Sequence, residues 1–496
     1  MITPDVKTFL KLCRKGNLVA LIHGIPADLE TPVSCFLKLA ANKPQAFLLE
    51  SAEQGEQIGR YSFMGCAPKL IIEARGNSIK IQRRGIKKTE NVRYPILDFL
   101  SNLLSRYKLA NPDALPDFCG GLVGYLGYEY VQQCENITLH SAKATQVPDA
   151  VFFLVDNLII FDHFRKQMLF VRIAEIPKAS SKQKLIALYQ KELRDLRLRV
   201  NELSAAKVIP RASAAGSVTV LKLKSNTSPA AFYKRVKKVK QYIRAGDCIQ
   251  VVLSQRFKLS HAAHDFQIYR ALRSINPSPY MFYFRHNPYR LIGSSPEMLV
   301  KKAGSIAEVR PIAGTRPRGK TLNEDQRYEE QLRKSPKEMA EHLMLVDLGR
   351  NDLGRVCQFN SIKIKDFARV ERYSHVMHLV SDVMGKLRRG QNAFSLLKAA
   401  FPAGTVSGAP KIRAMQIIDE LEKEQRGPYA GCLGYFSFTQ NMDMCITIRT
   451  LVLDGKNIYL QAGAGIVQDS HPKREYMETL NKAKALLGAI QNRGQF

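Results

Sequence analysis

Residues 65–72 read GCAPKLII and residues 293–300 read GSSPEMLV, so that Gly65, Pro68 and the following Gly76 return as Gly293, Pro296 and Gly304. A second pair keeps the same order: the G-x-x-G-Y of Gly124, Gly127 and Tyr128 comes back as Gly431, Gly434 and Tyr435. Glycine and proline at matched places punctuate strands with the same turns, and a repeat on this scale points to two related sheet-bearing lobes packed together. Around the first echo, residues 70–74 and 78–82 flank Gly76 as a pair of short strands. Between the halves, a Lys/Arg-rich helical stretch at 181–200 precedes a small-residue segment at 205–217 that contains Pro210 and Gly216, the composition of a connector. The division is an N-terminal lobe at 1–177, a connector at 178–225 and a C-terminal lobe at 226–496.

A chain of 496 residues is long enough for about two or three domains and a large core. With 45% hydrophobic and 24% charged residues and a mean hydropathy of −0.20, it belongs with globular proteins rather than disordered or fibrous ones. No apolar run approaches the roughly 18 residues of a membrane span, the densest, at 151–161, being broken by Asp156 and Asn157. The short run at 18–22 is no signal-peptide core, and a cytoplasmic protein is expected. The nine cysteines are odd in number and scattered, with no C-x-x-C pair, and are read as reduced, buried thiols. Lys and Arg outnumber Asp and Glu by 75 to 44, a net charge of +31, which raises nucleic acid as a rival partner. The charge is spread along the chain rather than gathered in a tail, however, and residues 101–150 hold only Arg106, Lys108 and Lys143 against five acids. Solvated basic faces are the expected reading, even for the helix that starts at Ser228–Pro229, carries the apolar stripe Phe232, Val236, Val239 and Ile243, and ends at Gly246.

Three stretches of the C-terminal lobe carry candidate chemistry. Ser335 as N-cap, Pro336 at N1 and Glu338 at N3 form a capping box for a helix through AEHLMLVDLGRND, apolar nearly all round and therefore expected to be buried. Glu341 shares a face with Glu338, Leu345 and Leu348, so its carboxylate is expected to be neutralised, paired or metal-bound. After Pro472, Glu475, Glu478 and Lys482 lie along one face of another helix. That spacing is also ordinary for a salt-bridged surface, yet opposite Glu341 it would complete an oxygen-only site suited to Mg²⁺. Glycine-rich turns at 311–319, 401–411 and 461–467 can bring backbone N–H groups to a small anionic ligand, and none has the spacing of a nucleotide loop.

These residues, with LLES (48–51), IGRYSFMG (58–65), GLVGYLGYEYV (121–131), INPSPYMFYF (275–284), PIAGTRPRG (311–319), SHVMHLVSDV (374–383), FPAGTVSGAPKIRAMQIIDELE (401–422) and GPYAGCLGYFSF (427–438), closely resemble the chorismate-utilising enzyme family, and within it the branch that aminates chorismate to anthranilate. The resemblance runs from about residue 20 to 490 and leaves only the connector unmatched. It implies an α+β, two-lobe chorismate-binding fold, antiparallel sheets in a sandwich flanked by helices, with the lobes related by internal duplication. The implied reaction converts chorismate and ammonia to anthranilate and pyruvate, the first step of tryptophan biosynthesis. Ammonia adds at ring carbon C2 as the C4 hydroxyl leaves, and loss of the C2 proton then expels the enolpyruvyl group. The C2 base is not identified.

By the same resemblance, Glu341 and Glu478 are Mg²⁺ ligands with Glu475 in or near the second layer, and His378 stands near the departing hydroxyl with Thr405 as its catalytic companion. Gly314 and Thr315 bind substrate, Tyr429 and Arg449 hold the enolpyruvyl carboxylate, and Gly463, Ala464 and Gly465 offer backbone amides. His375 is given no role. In aminodeoxychorismate synthases a lysine typically stands where this chain has Ala313, and in isochorismate and salicylate synthases a lysine typically activates water where this chain has Gln250. Neither residue here can do that work, which favours ammonia. The chain has no Gly-x-Cys-x-Gly elbow, so ammonia is expected from a separate glutamine amidotransferase subunit in a hetero-oligomer. Glu50 and Ser51, with Pro279, Tyr280 and Met281, match a feedback site for tryptophan between the lobes.

Overall fold

β-Branched and aromatic residues fill the runs AVFFLV (Ala150–Val155), NLIIFD (Asn157–Asp162) and YMFYFRH (Tyr280–His286), and each forms a strand buried along almost its whole length. Strands hidden on both faces require layers above and below. In the computed structural model, which describes residues 2–51, 59–86, 88–143, 145–206, 223–260, 265–373 and 376–491, those layers are two large antiparallel sheets. Thirteen described strands make one and twelve the other. The main core lies between them, where Phe153 of one sheet stacks on Phe284 of the other with ring centroids 4.5 Å apart. A second apolar cluster sits under the helices Pro32–Leu39, Lys182–Ala205, Asp265–Ile275 and Pro472–Gln491 on the outer face of the larger sheet.

Strand order explains the repeat. The larger sheet runs Leu18–Pro26, Gln167–Glu175, Asn157–Asp162, Tyr61–Cys66 and Gln45–Glu50, then Tyr280–His286, Tyr289–Ser295, Thr450–Leu453, Asn457–Ile466 and Gln250–Ser260. The smaller runs Ser78–Arg83, Leu70–Arg75, Ala150–Val155 and Gly121–Leu126, then Cys432–Ser437, Met442–Ile446, Met298–Ala303 and Ile306–Val309. Read outward from the middle, each sheet meets equivalent strands of the two halves in the same order. The halves therefore do not each carry a sheet of their own; each supplies half of both sheets. Joining edge to edge in this way leaves no unpaired strand edge at the junction.

The echoed motifs stand at these seams. Gly65 and Gly293 lie on the strands that flank the junction of Gln45–Glu50 with Tyr280–His286. Gly124 is directly opposite Gly434 where Gly121–Leu126 meets Cys432–Ser437. A Cβ on Gly434 would collide with the carbonyl oxygen of Asp443, and one on Gly124 with that of Val151.

The connector helix spans Lys182–Ala205 and packs on the strand Gln167–Glu175, with Leu196 and Leu203 buried, so this part of the connector belongs to the folded body. Residues 207–222, His375 and Ile58 lie outside the described residues. The helix Pro229–Arg244 buries Phe232, Val236 and Val239 and is followed by Gly246 at φ 82°, as its sequence predicts. The helix Pro336–Gly354 departs from expectation in two ways. Leu343 is half exposed, because only one side of the helix meets the smaller sheet. Ser335 accepts from the Glu338 amide, but the Glu338 carboxylate turns to Arg316 at 3.1 Å instead of closing a capping box. No described helix is long and apolar enough to cross a membrane.

Gly434→Ala is expected to lose more than about 3 kcal/mol, since backbone must move to admit the methyl group. Gly488→Ala, in the open interior of Pro472–Gln491 with nothing within 4 Å of the new Cβ, is expected to gain up to about 1 kcal/mol. Thermal melts of the two variants beside the parent check both signs.

Candidate active site

A cavity of about 620 Å³ opens where the two sheets hand over to the last helix, lined by Arg449, Lys473, Arg474, Met477, Glu478, Asn481 and Lys482. Four cations against one carboxylate suit a small ligand with more than one negative charge. Arg449 joins Met442–Ile446 of the smaller sheet to Thr450–Leu453 of the larger, and its φ of 48° lies in the left-handed region. Such a conformation costs about 1–3 kcal/mol for a non-glycine residue, and the surrounding strands enforce it, the Arg449 carbonyl accepting from Ser294 N at 3.1 Å.

The strand Asn457–Ile466 brings Gly463, Ala464 and Gly465 opposite Ser254, Leu253 and Val252. Its pairing with Thr450–Leu453 stops at Leu460, so beyond that point the glycine run has a registered strand partner on one side only, and the Gly404–Val406 turn lies against it. The glycines leave room for side chains: a Cβ on Gly463 would come 2.6 Å from the Tyr429 hydroxyl, and one on Gly465 2.6 Å from Gln250 Nε2. Gln250 is buried and its Oε1 has no hydrogen-bond partner. Lys482 Nζ bonds the Gly463 carbonyl at 3.0 Å and Glu478 at 2.8 Å, tying helix to strand.

Across the site, His378 Nδ1 lies 2.7 Å from the carbonyl oxygen of Gly314 and 3.2 Å from Thr315 Oγ1. A carbonyl can only accept, so Nδ1 carries the hydrogen and Nε2 is the free nitrogen. Burial lowers the His378 pKa, which favours the neutral ring. Gly314 sits at φ 64°, on a strand with a register shift between Ala313 and Arg316, and a Cβ there would meet Leu332 and Glu338.

Thr405 Oγ1 donates to Glu297 Oε2 at 2.9 Å. Burial raises the Glu297 pKa, only partly opposed by Thr405, Lys482 and Arg449. Glu341 is raised too, by burial first and then by the Glu338 carboxylate; Lys337 opposes the rise and Glu478 adds to it. Burial likewise raises Glu475. The acidic side chains of two helices separated in sequence thus feel one another's charge, and an oxygen-donor cation would relieve that repulsion, so the donor chemistry fits Mg²⁺. Among the described residues no three or more His, Cys, Asp or Glu side chains are grouped closely enough to hold a metal ion.

Electrostatic reach links the remaining members: Arg449 acts on His378 and Glu297, Lys482 on Glu297 and Glu341, and Glu297 on Tyr429. These interactions link the predicted residues His378, Thr405, Tyr429, Arg449, Glu341 and Glu478 through Glu297 and Lys482. Glu297 went unassigned in the sequence, although it stands in the echoed GSSPEMLV where the first lobe has Lys69; that difference within a repeat was the available signal. The second predicted group lies elsewhere, on the seam of the larger sheet, with Glu50 opposite Met281. Glu50 is buried, accepts from Tyr269 at 2.5 Å and pairs with Arg273 at 3.1 Å, and the buried Ser51 hydroxyl has no hydrogen-bond partner among the described residues.

The chain belongs to the chorismate-binding enzymes: the family model for "chorismate binding enzyme" matches residues 44–488. Relatives across the full length include proteins named anthranilate synthase component 1 from Synechocystis, 45% identical over 99% of both chains, and from Acetivibrio thermocellus, 43% identical over 100% of both. The crystal structure of anthranilate synthase component I from Streptococcus pneumoniae superposes with a TM-score of 0.72 at 35% identity, covering 93% of this chain and 98% of that one. The menaquinone-specific isochorismate synthase of Escherichia coli shares the fold, with a TM-score of 0.70 at 18% identity over 98% of both chains.

Gly463→Ala, whose Cβ would also come 3.1 Å from the Leu253 carbonyl, is expected to displace the Tyr429 hydroxyl, weaken chorismate binding by about tenfold or more and lower the melting temperature by a few degrees. Titration of chorismate into parent and variant measures it.

Proposed function

We propose that the protein aminates chorismate with ammonia to give anthranilate and pyruvate, as the large component of a two-component enzyme. The observation that carries this reading is the cationic cavity lined by Arg449, Glu478 and Lys482, whose charges reach His378, Glu341 and the Glu297 that Thr405 bonds. Arg449 and Tyr429 would take the enolpyruvyl carboxylate, the guanidinium supplying a charged planar fork, and the amides of Gly463 to Gly465 would serve the same anion. Glu341 and Glu478, with Glu475 beside them, would hold Mg²⁺. The ion, when bound, supplies positive charge against the ring carboxylate. Loss of the C4 hydroxyl needs a proton or hydrogen bond. His378 Nε2, unprotonated in the neutral ring, would accept a hydrogen bond from that hydroxyl and orient it, and the Nδ1 hydrogen bond to Gly314 fixes the ring plane. Burial raises the Glu297 pKa and so favours its protonated form relative to an exposed carboxyl, which makes it a candidate proton donor.

Ammonia as the nucleophile is supported by what stands at two positions. Ala313 is a buried methyl group, with no amine to attack the ring, which disfavours the aminodeoxychorismate synthase alternative. Gln250 presents an amide that cannot take a proton from water. A glutamine amidotransferase subunit would supply the ammonia, and Glu50, Ser51, Pro279, Tyr280 and Met281 would bind tryptophan as a feedback inhibitor, the unpartnered Ser51 hydroxyl being free for that ligand.

Turnover of chorismate with ammonium salt, followed by anthranilate fluorescence, tests the assignment. EDTA should abolish the signal and Mg²⁺ restore it, Glu341→Gln should raise the Mg²⁺ requirement, and His378→Ala should lower kcat by about 10²–10⁴-fold. A product that keeps its enolpyruvyl group, or equal rates in all three proteins, would refute the assignment.

Ser51→Phe should fill the seam and abolish inhibition by tryptophan while leaving kcat and the KM for chorismate near the parent values. Inhibition curves for parent and variant decide this.

A further inference from the structure

Arg426 has no part in the roles assigned above, yet it is one of the most enclosed charges in the molecule, 3% exposed. Its guanidinium makes four hydrogen bonds: Nε to Glu422 Oε2 at 2.8 Å, Nη2 to Glu422 Oε1 at 2.7 Å, Nη1 to the Val406 carbonyl at 2.7 Å and Nη2 to the Val252 carbonyl at 2.8 Å. Val406 follows Thr405 in its turn, and Val252 lies two residues after Gln250 on the strand opposite Gly465. Glu422 Oε1 also accepts from Ser254 N at 2.7 Å and Ser254 Oγ at 3.0 Å, and Gln461, two residues before Gly463, donates to Ser254 Oγ at 2.8 Å. The guanidinium carbon lies 4.8 Å from the Tyr128 ring centroid and 5.6 Å from that of Tyr429. One buried ion pair thus touches the Thr405 turn, the Gln250 strand and the Tyr429 ring, and reaches the glycine strand through Ser254.

A fork of fixed geometry can satisfy two carbonyls and a bidentate carboxylate at once, which the single ammonium of lysine cannot. A pair kept for stability alone is replaceable by apolar side chains, often without loss. Here one carbonyl belongs to the Thr405 turn and the other to the Gln250 strand, which already bond through Val252 N and the Ser407 carbonyl at 2.9 Å; the fork adds two bonds across that contact and holds its guanidinium against the Tyr429 ring. We propose that Arg426, paired with Glu422, is a positioning residue that sets the Tyr429 ring against the glycine strand where the substrate's enolpyruvyl carboxylate binds. This rests on the chorismate reading of the cavity given above.

Two variants and two readouts test it. Arg426→Lys keeps the charge, and the double variant Glu422→Gln with Arg426→Met removes the ion pair while leaving Ser254 an acceptor. In both, the KM for chorismate should rise by about 10- to 100-fold with kcat within about threefold of the parent, the signature of lost substrate positioning. A purely structural role would instead lower the amount of active protein and leave KM alone. Independently of turnover, 3-fluorotyrosine NMR, with the Tyr429 resonance assigned by its absence in Tyr429→Phe, should show that resonance shifted or broadened in both variants. An unmoved resonance together with an unchanged KM overturns the proposal. Failure of the parent to form anthranilate overturns the functional reading, and the NMR result then still decides whether Arg426 places the ring.

Discussion

Everything distinctive about this molecule depends on backbone hydrogen bonding across two seams. In one, Gln45–Glu50 pairs with Tyr280–His286; in the other, Gly121–Leu126 pairs with Cys432–Ser437. Because strands of the two halves bond directly, the halves cannot shift relative to one another without breaking ladder bonds inside a dry core. Gly124 and Gly434 face each other at the second seam, where neighbouring backbone leaves no room for a side chain. The chemistry of the cavity is built on the fixed ends of these sheets.

Arg449 stands at the consequence of that arrangement. The chain passes from one sheet to the other there, and its left-handed backbone turns a charged side chain into the cavity wall. The last helix closes the opposite wall through Lys482, which bonds the glycine strand and Glu478 together. The carboxylates raised by burial and by one another, Glu341 foremost, lie on the helices that pack over these sheet ends. A site with strained backbone, crowded acids and a buried unsatisfied Gln250 oxygen stores unfavourable energy that a ligand with complementary charge can release.

The seam of the larger sheet gives the proposed inhibitor site a mechanical position. Glu50 comes from one half and Met281 from the other, on directly paired strands. From Tyr280 a hydrogen bond of 3.0 Å runs to Asp443 on the strand that leads, six residues later, to Arg449. A ligand held between the halves therefore touches the strands that carry the cavity wall, which is a physical basis for coupling the two sites.

Local pattern by itself determined the short strands around Gly76, the echo between the halves and the helix starting at Ser228–Pro229, because strand alternation and glycine turns are properties of neighbours along the chain, whereas the expected roles of His378, Thr405, Tyr429 and Arg449 came from resemblance to a family. Glu341 could be read as a carboxylate needing a partner from its helix alone. Only the tertiary structure decided that each half contributes to both sheets, that Glu297 accepts from Thr405, and that Arg426, paired with Glu422, bonds both the Thr405 turn and the Gln250 strand. Edge-to-edge pairing, burial and the satisfaction of distant carbonyls depend on which segments meet in space, and a spacing rule along one chain carries no information about that.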